Sequence, residues 1–258
     1  MAKRFKRSVA SFFTCGNIIC GCLSIILVMG GNSLKASWLL VLAIAFDMMD
    51  GRIARITNTT SDFGVQLDSL SDLVSFGVAP SIMMYQLVLS SLNKIGMAIA
   101  VLFVLCSALR LAKFNVMAKS GIVHNFFMGL PTPASAGFLV FFVLSYELSV
   151  ESLTFKTSPI LIKSIPFLLS MMPVVMVILS LLMVSSVPYA SFKKLKFSHY
   201  KIFNFSVLVL LFICIFVQNV ISTIFILFFI YILSGMCNYV LKSWKDFKKI
   251  YLKKVGSN

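Results

Sequence analysis

Apolar residues run along this chain in blocks about 20 residues long, and short polar or basic clusters separate them. Blocks of that length match helices crossing a bilayer core about 30 Å thick. Eight can be read, at about 9–30, 33–55, 65–91, 95–117, 132–149, 161–187, 203–219 and 220–241. Only Gln218 and Asn219 part the last two, so their boundary is soft. The expected fold is all-α, a polytopic transmembrane helical bundle of about eight spans. Residues 1–187 are expected to form a core of about six helices. Residues 188–258 then supply a cytoplasmic basic loop, two further spans and a Lys-rich tail.

Composition agrees with the pattern. The chain is 59% hydrophobic, with a mean hydropathy of +0.99, whereas soluble domains are about half apolar. The basic residues add an orientation. Of 23 Lys and Arg, 19 lie before the first span, after the second, fourth and sixth, or after the eighth; Lys35, Lys94, Lys156 and Lys163 fall on the other side. The positive-inside rule therefore places both termini at the cytoplasmic face. A lysine-rich tail with Trp244, Phe247 and Tyr251 reads as a short interfacial helix. The basic start followed by an apolar run has no convincing cleavage site, so an uncleaved first helix is expected.

A net charge of +15 needs no nucleic acid to explain it. The charges flank membrane ends, where they set topology and attract anionic headgroups, and no soluble stretch is long enough for a basic module. Membrane lipids, not nucleic acid, are the expected partners. The six cysteines form no C-x2-C pair and have no histidine at ligand spacing, so they read as small buried residues. Nucleophile–histidine constellations, Walker loops and dinucleotide fingerprints are not found in the sequence.

Chemistry concentrates in one segment. Asp47, Asp50, Gly51 and Ala54 share a helix face at i, i+3, i+4 and i+7, and Gly64, Asp68 and Asp72 share another at i, i+4 and i+8. Carboxylates in apolar surroundings are costly unless a cation or a water-filled cavity accompanies them. Two such faces turned together would gather Asp47, Asp50, Asp68 and Asp72 in one volume, a divalent-metal site at the cytoplasmic end of the second and third spans. Oxygen ligands favour hard cations, Mg2+ or Mn2+, and two ions would suit four carboxylates. The small residues Gly51, Ala54 and Gly64 leave room for a ligand to approach the helices.

The full pattern, D-x2-D-G-x2-A-R-x8-G-x3-D-x3-D over residues 47–72, resembles the signature of the CDP-alcohol phosphotransferase family at every specified position. Weaker similarity extends from about residue 12 to 135. The resemblance implies a liponucleotide donor whose cytidine diphosphate head enters from the cytoplasm while its acyl chains stay in the bilayer. It implies that Gly51, Ala54 and Gly64 line the cytidine pocket, with Ser61 as a polar contact and Arg55 on a phosphate oxygen. Asp72 is then the candidate general base toward the acceptor hydroxyl, a fourth metal ligand, or both.

Flanking segments bear on the acceptor. Residues 16–21, 67–80, 108–115 and 129–134 resemble the phosphatidylserine synthases of this family, which points to CDP-diacylglycerol and L-serine as substrates. Ser71-Asp72-Leu73 departs from the Ala-Asp-Lys of phosphatidylglycerophosphate synthases. Arg110, Lys113, Asn115 and Asn17 are candidates for a serine or phosphate pocket, although Arg110 also reads as a snorkelling residue and Asn17 as a packing one. Lys113 stands where the resemblance leads one to expect Arg, which keeps the charge and loses the bidentate fork. Glycerol 3-phosphate or inositol phosphate remains an alternative acceptor, and a cation transporter using the aspartates is a distant one. The expected location is the bacterial cytoplasmic (inner) membrane, with the site on its cytoplasmic face. The last helices extend the core or support a homodimer.

Overall fold

Helix is the economical backbone in hydrocarbon, because every N–H and C=O then finds its partner within its own segment. The computed structural model describes residues 2–57, 62–119, 127–152, 159–189, 221 and 223–235. Its helices are α1 (Ala2–Met29), α2 (Ser33–Thr57), α3 (Asp62–Asp72), α4 (Ala79–Leu87), α5 (Asn93–Lys119), α6 (Thr132–Ser152), α7 (Pro159–Val184) and α8 (Thr223–Gly235). The all-α expectation holds. A two-residue antiparallel pairing of Phe127–Met128 with Pro188–Tyr189 is the strand structure among the described residues.

Three helices carry stretches long and apolar enough to cross a membrane: Phe12–Met29, Leu89–Met117 and Phe167–Val184. Thr132–Leu148 and Thr223–Gly235 are shorter apolar helices. Large apolar side chains face outward along them, Ile26 at 64%, Ile95 at 67% and Leu181 at 60% exposed, a surface suited to lipid and not to water. These features mark an integral membrane protein. The described residues do not carry the count to eight spans: the segment 203–219 and the Lys-rich tail lie outside them.

The sharpest departure from the hydropathy reading lies in the third expected span, 65–91. It is a relay of pieces: α3, a π-helical turn at Leu73–Val78, α4, and a 3-10 turn at Leu89–Leu92. The Ala79 N–H reaches back to the Val74 carbonyl, an i→i−5 bond, and Pro80, with no N–H to give, sits at the start of α4. Apolarity carries through all four pieces, so hydropathy alone cannot show where the hydrogen-bond register changes.

Between α1 and α2 the chain turns on Gly30-Gly31-Asn32. Gly31 adopts φ 80°; its N–H bonds Val28 O at 2.9 Å and the Asn32 N–H bonds Leu27 O at 2.9 Å. This paired closure of a helix C-terminus needs a left-handed residue, which glycine supplies without strain. The resulting hairpin is reinforced by the Ser24 hydroxyl, which donates to Ala36 O at 3.1 Å.

Helix α6 is wrapped on nearly every side: Ala136 and Phe138 through Leu144 are all buried. Phe138 and Phe142 meet Phe225 of α8, with ring centroids 4.9 and 5.8 Å apart. The core continues through Leu40, Met83, Phe103, Met176 and Leu179. α2 and α6 pack together, as do α5 and α7, while α1 lies against α2, α3 and α4. Its contact with α3 positions the carboxylates.

Candidate functional site

Four acidic side chains lie on the last turns of α2 and the last turns of α3. Helical spacing sets Asp47 and Asp50 one turn apart on α2, and Asp68 and Asp72 one turn apart on α3. The structure gathers Asp47, Asp50 and Asp68 so that one carboxylate oxygen from each lies within 4.8 Å of the others. Asp50 is buried, at 5% exposure. Asp72 closes α3 just before the π-helical turn and is 8% exposed; it is not one of those three, but its side chain is a hydrogen-bonding neighbour of Asp47. The four aspartates expected from the spacing are thus neighbours, three within 4.8 Å of one another and Asp72 against Asp47.

The trio has the donor chemistry of a cation site. Asp50 Oδ2 and Asp68 Oδ1 are buried with no hydrogen-bond partner, an arrangement costly for a carboxylate unless a cation shares it. Hard oxygen donors converging on a few ångströms fit a divalent ion such as Mg2+ or Mn2+. The acidic cluster expected from the sequence is present. Thr14 of α1 and the Gly51 backbone are hydrogen-bonding neighbours of Asp50.

Helix α1 also packs against the Asp72 segment through cross-helix hydrogen bonds. The Ser71 hydroxyl donates to Thr14 O at 2.8 Å, and the Ser75 hydroxyl donates to Asn17 O at 2.9 Å. The Asn17 side-chain amide donates to Asp72 Oδ1 at 3.2 Å. Sequence reading singled out Asn17 but gave it no partner. It missed Thr14, Ser71 and Ser75, although Thr14 and Asn17 are one turn apart on α1, and Ser71 and Ser75 one turn apart around Asp72.

Of the residues considered for a serine or phosphate pocket, Asn17 is fully buried and Arg110 is half-buried. Arg110 Nη1 donates to the buried hydroxyl of Thr132, at the start of α6, while its Nε is buried with no partner. Asp72 and Tyr231 of α8 are its electrostatic neighbours. Asn115 points elsewhere, donating to Ser69 of α3 at 2.8 Å, and Lys113 is exposed. Arg110 and Asn17 are thus both neighbours of Asp72, and Asn115 is bonded to Ser69. Gly51 and Gly64 are half-buried in the helices that carry the carboxylates. The side chains of Ala54 and Arg55, and residue Ser61, lie outside the described residues. Neither Thr132 nor Tyr231 was singled out by the sequence, since a hydroxyl in an apolar run carries no spacing signal.

Comparisons with known proteins place this site in context. A family model described as CDP-alcohol phosphatidyltransferase matches residues 7–165. A Helicobacter pylori protein named CDP-diacylglycerol–serine O-phosphatidyltransferase is 35% identical over 230 residues, covering 89% of this chain and 90% of that one. A Bacillus subtilis protein of the same name is 34% identical over 186 residues, 72% of this chain and 92% of that one. A Methanothermobacter thermautotrophicus archaetidylserine synthase is 40% identical over 141 residues, 54% of this chain and 59% of that one.

Proposed function

Because the chain belongs to the CDP-alcohol phosphatidyltransferase family, we propose that it transfers the phosphatidyl group of CDP-diacylglycerol to L-serine, giving phosphatidylserine and CMP. The observation that carries the serine assignment is the likeness, over 89% of the chain, to a protein named for that reaction. The convergence of Asp47, Asp50 and Asp68 supports the phosphotransfer chemistry.

In this reading Asp47, Asp50 and Asp68 hold Mg2+ or Mn2+, with Asp72 at the edge of the site. A divalent cation there supplies neutralising charge to the pyrophosphate and to the departing phosphate. Asp72 accepts the proton of the serine hydroxyl as that oxygen attacks the phosphorus bearing the diacylglycerol. A new P–O bond forms to serine, the P–O bond to CMP breaks, and CMP takes the bonding pair. Gly51, Ala54 and Gly64 allow the cytidine to lie close to the helices, with Ser61 as a polar contact there and Arg55 on a phosphate oxygen. Arg110, with one buried donor still unpartnered, meets the serine carboxylate; Lys113 is the weaker candidate for that role. Positive charge flanking the span ends supports a reaction at the cytoplasmic face, and the bacterial inner membrane is the location this reading takes.

The test is purified protein with CDP-diacylglycerol, Mn2+ or Mg2+, and serine, glycerol 3-phosphate, inositol or inositol phosphate as acceptor. CMP release that requires both metal and serine is the expected result. Release with glycerol 3-phosphate or inositol phosphate and not with serine would keep the phosphotransfer and overturn the acceptor. Cation flux without CMP release would overturn both.

A further inference from the structure

The contact between α1 and the Asp72 segment is more specific than helix packing requires. Asn17 is fully buried, and the hydrogen bond of its amide to Asp72 spans 55 positions of sequence. Its Oδ1 has no partner, so the side chain's bond to the protein is the one made to Asp72. The orientation of the amide follows from chemistry: reversed, it would set its oxygen against a carboxylate oxygen, acceptor against acceptor. The Asn17 backbone is held too, because Ser75 donates to its carbonyl at 2.9 Å. Ser71, the residue before Asp72, anchors to Thr14 O at 2.8 Å. Close approach at the next turn depends on Gly21, where an alanine Cβ would collide with Ser75 Oγ and lie 3.0 Å from Ser75 Cα. Asp72 itself is the residue from which the chain enters the π-helical turn, a local departure from α-helix that is frequent at functional sites.

We propose that Asn17 is a positioning residue for Asp72, bonding one carboxylate oxygen and so fixing the direction in which Asp72, which also neighbours Asp47, meets the acceptor hydroxyl, with Thr14, Gly21, Ser71 and Ser75 fixing α1 at the required distance. This rests on the reaction proposed above. It assigns Asn17 to the orientation of a carboxylate and not to serine binding.

Kinetics of the full-length protein separate these roles. Asn17→Leu keeps the shape and removes the donor; kcat should fall roughly 10²-fold, the scale of an ångström-level misplacement. The KM values for serine and CDP-diacylglycerol should each move by less than about threefold, because ground-state binding is untouched. In an Asp72→Asn background the same substitution should cost less than about threefold, since there is no base left to orient. Gly21→Ala keeps every polar group and displaces α1, so it should reproduce the kcat loss; it also carries the test if Asn17→Leu fails to fold. A full second loss in the Asp72→Asn background would overturn the proposal. So would a serine KM that rises while kcat survives, the signature of a pocket residue. Failure of the wild type to release CMP with serine would instead fault the proposed reaction.

Discussion

Where α1, α2 and α3 meet, and where α6 meets α8, the protein is buried for different reasons. At the first junction, polar side chains reach between helices: Asn17 to Asp72, Ser71 to Thr14, Ser75 to Asn17. At the second, phenylalanine rings pack on one another, Phe138 and Phe142 on Phe225, and Phe141 on Phe228. Beside the second region the Ser180 hydroxyl turns back on its own helix, to Met176 O, and Ser135 divides its hydroxyl between Thr132 O of its own helix and Met183 Sδ of α7. A membrane gives helices little hydrophobic reason to associate, so close packing and cross-helix hydrogen bonds must do it. One region uses the bonds to aim carboxylates; the other uses packing to stay together.

If that contrast is functional, the largest losses belong to the carboxylate junction. Asp47→Asn and Asp68→Asn should each abolish CMP release, because each removes an anionic oxygen donor from the trio. A parallel loss of Mn2+ binding, read by equilibrium dialysis, is expected. Half or more of wild-type release at equal protein and metal would remove these residues from the cation site.

Next in size is Asp72→Asn, which should lower the chemical step by roughly 10²–10⁴-fold, the range for a positioned base. Liponucleotide binding should largely survive. If binding and turnover fall together, Asp72 acts chiefly as a ligand.

This ordering follows what the sequence could and could not disclose. Burying a carboxylate is so costly that Asp47, Asp50, Asp68 and Asp72 announce themselves in any apolar run. Their partners do not: Asn17 sits 55 positions before Asp72, and a serine such as Ser75 is as ordinary in a helix facing lipid as in one facing a site. Helix existence was legible from block length, yet the π-helical turn at Leu73–Val78 was hidden because its residues are as apolar as their neighbours. The central place of α6 was hidden for a related reason. Lipid and protein interior are similarly apolar, so a wrapped helix and a peripheral one read alike.

Arg110 joins the two regions, bonded to Thr132 of α6 and facing Asp72. Arg110→Gln should raise the serine KM by about 10- to 100-fold, the worth of one charge-assisted hydrogen bond. The CDP-diacylglycerol KM should move by less than about threefold. Equal rises in both would mean that Arg110 holds the donor's phosphate, and an unchanged serine KM would reduce it to a strut for α6.

The smallest effects come from a matched pair of deletions that tests the contrast most directly. Ser75 and Ser180 are both fully buried, and each makes one hydroxyl-to-carbonyl bond, at 2.9 Å to Asn17 and 2.7 Å to Met176. Ser75 reaches another helix; Ser180 reaches back four residues along its own. Removing the cross-helix bond should cost about 0.6 kcal/mol, the average for such bonds in membranes. It also frees the Asn17 carbonyl to shift, so Ser75→Ala should slow turnover by about 3- to 10-fold through its effect on Asp72. Ser180→Ala removes a back-bond that slightly strains a helix, so its stability should change by less than about 0.5 kcal/mol and its turnover not at all. Thermal unfolding in detergent and CMP release at saturating substrates read both quantities. Equal kinetic effects from the two variants would mean that burial alone matters, and that hydrogen bonds between helices do not distinguish the two junctions.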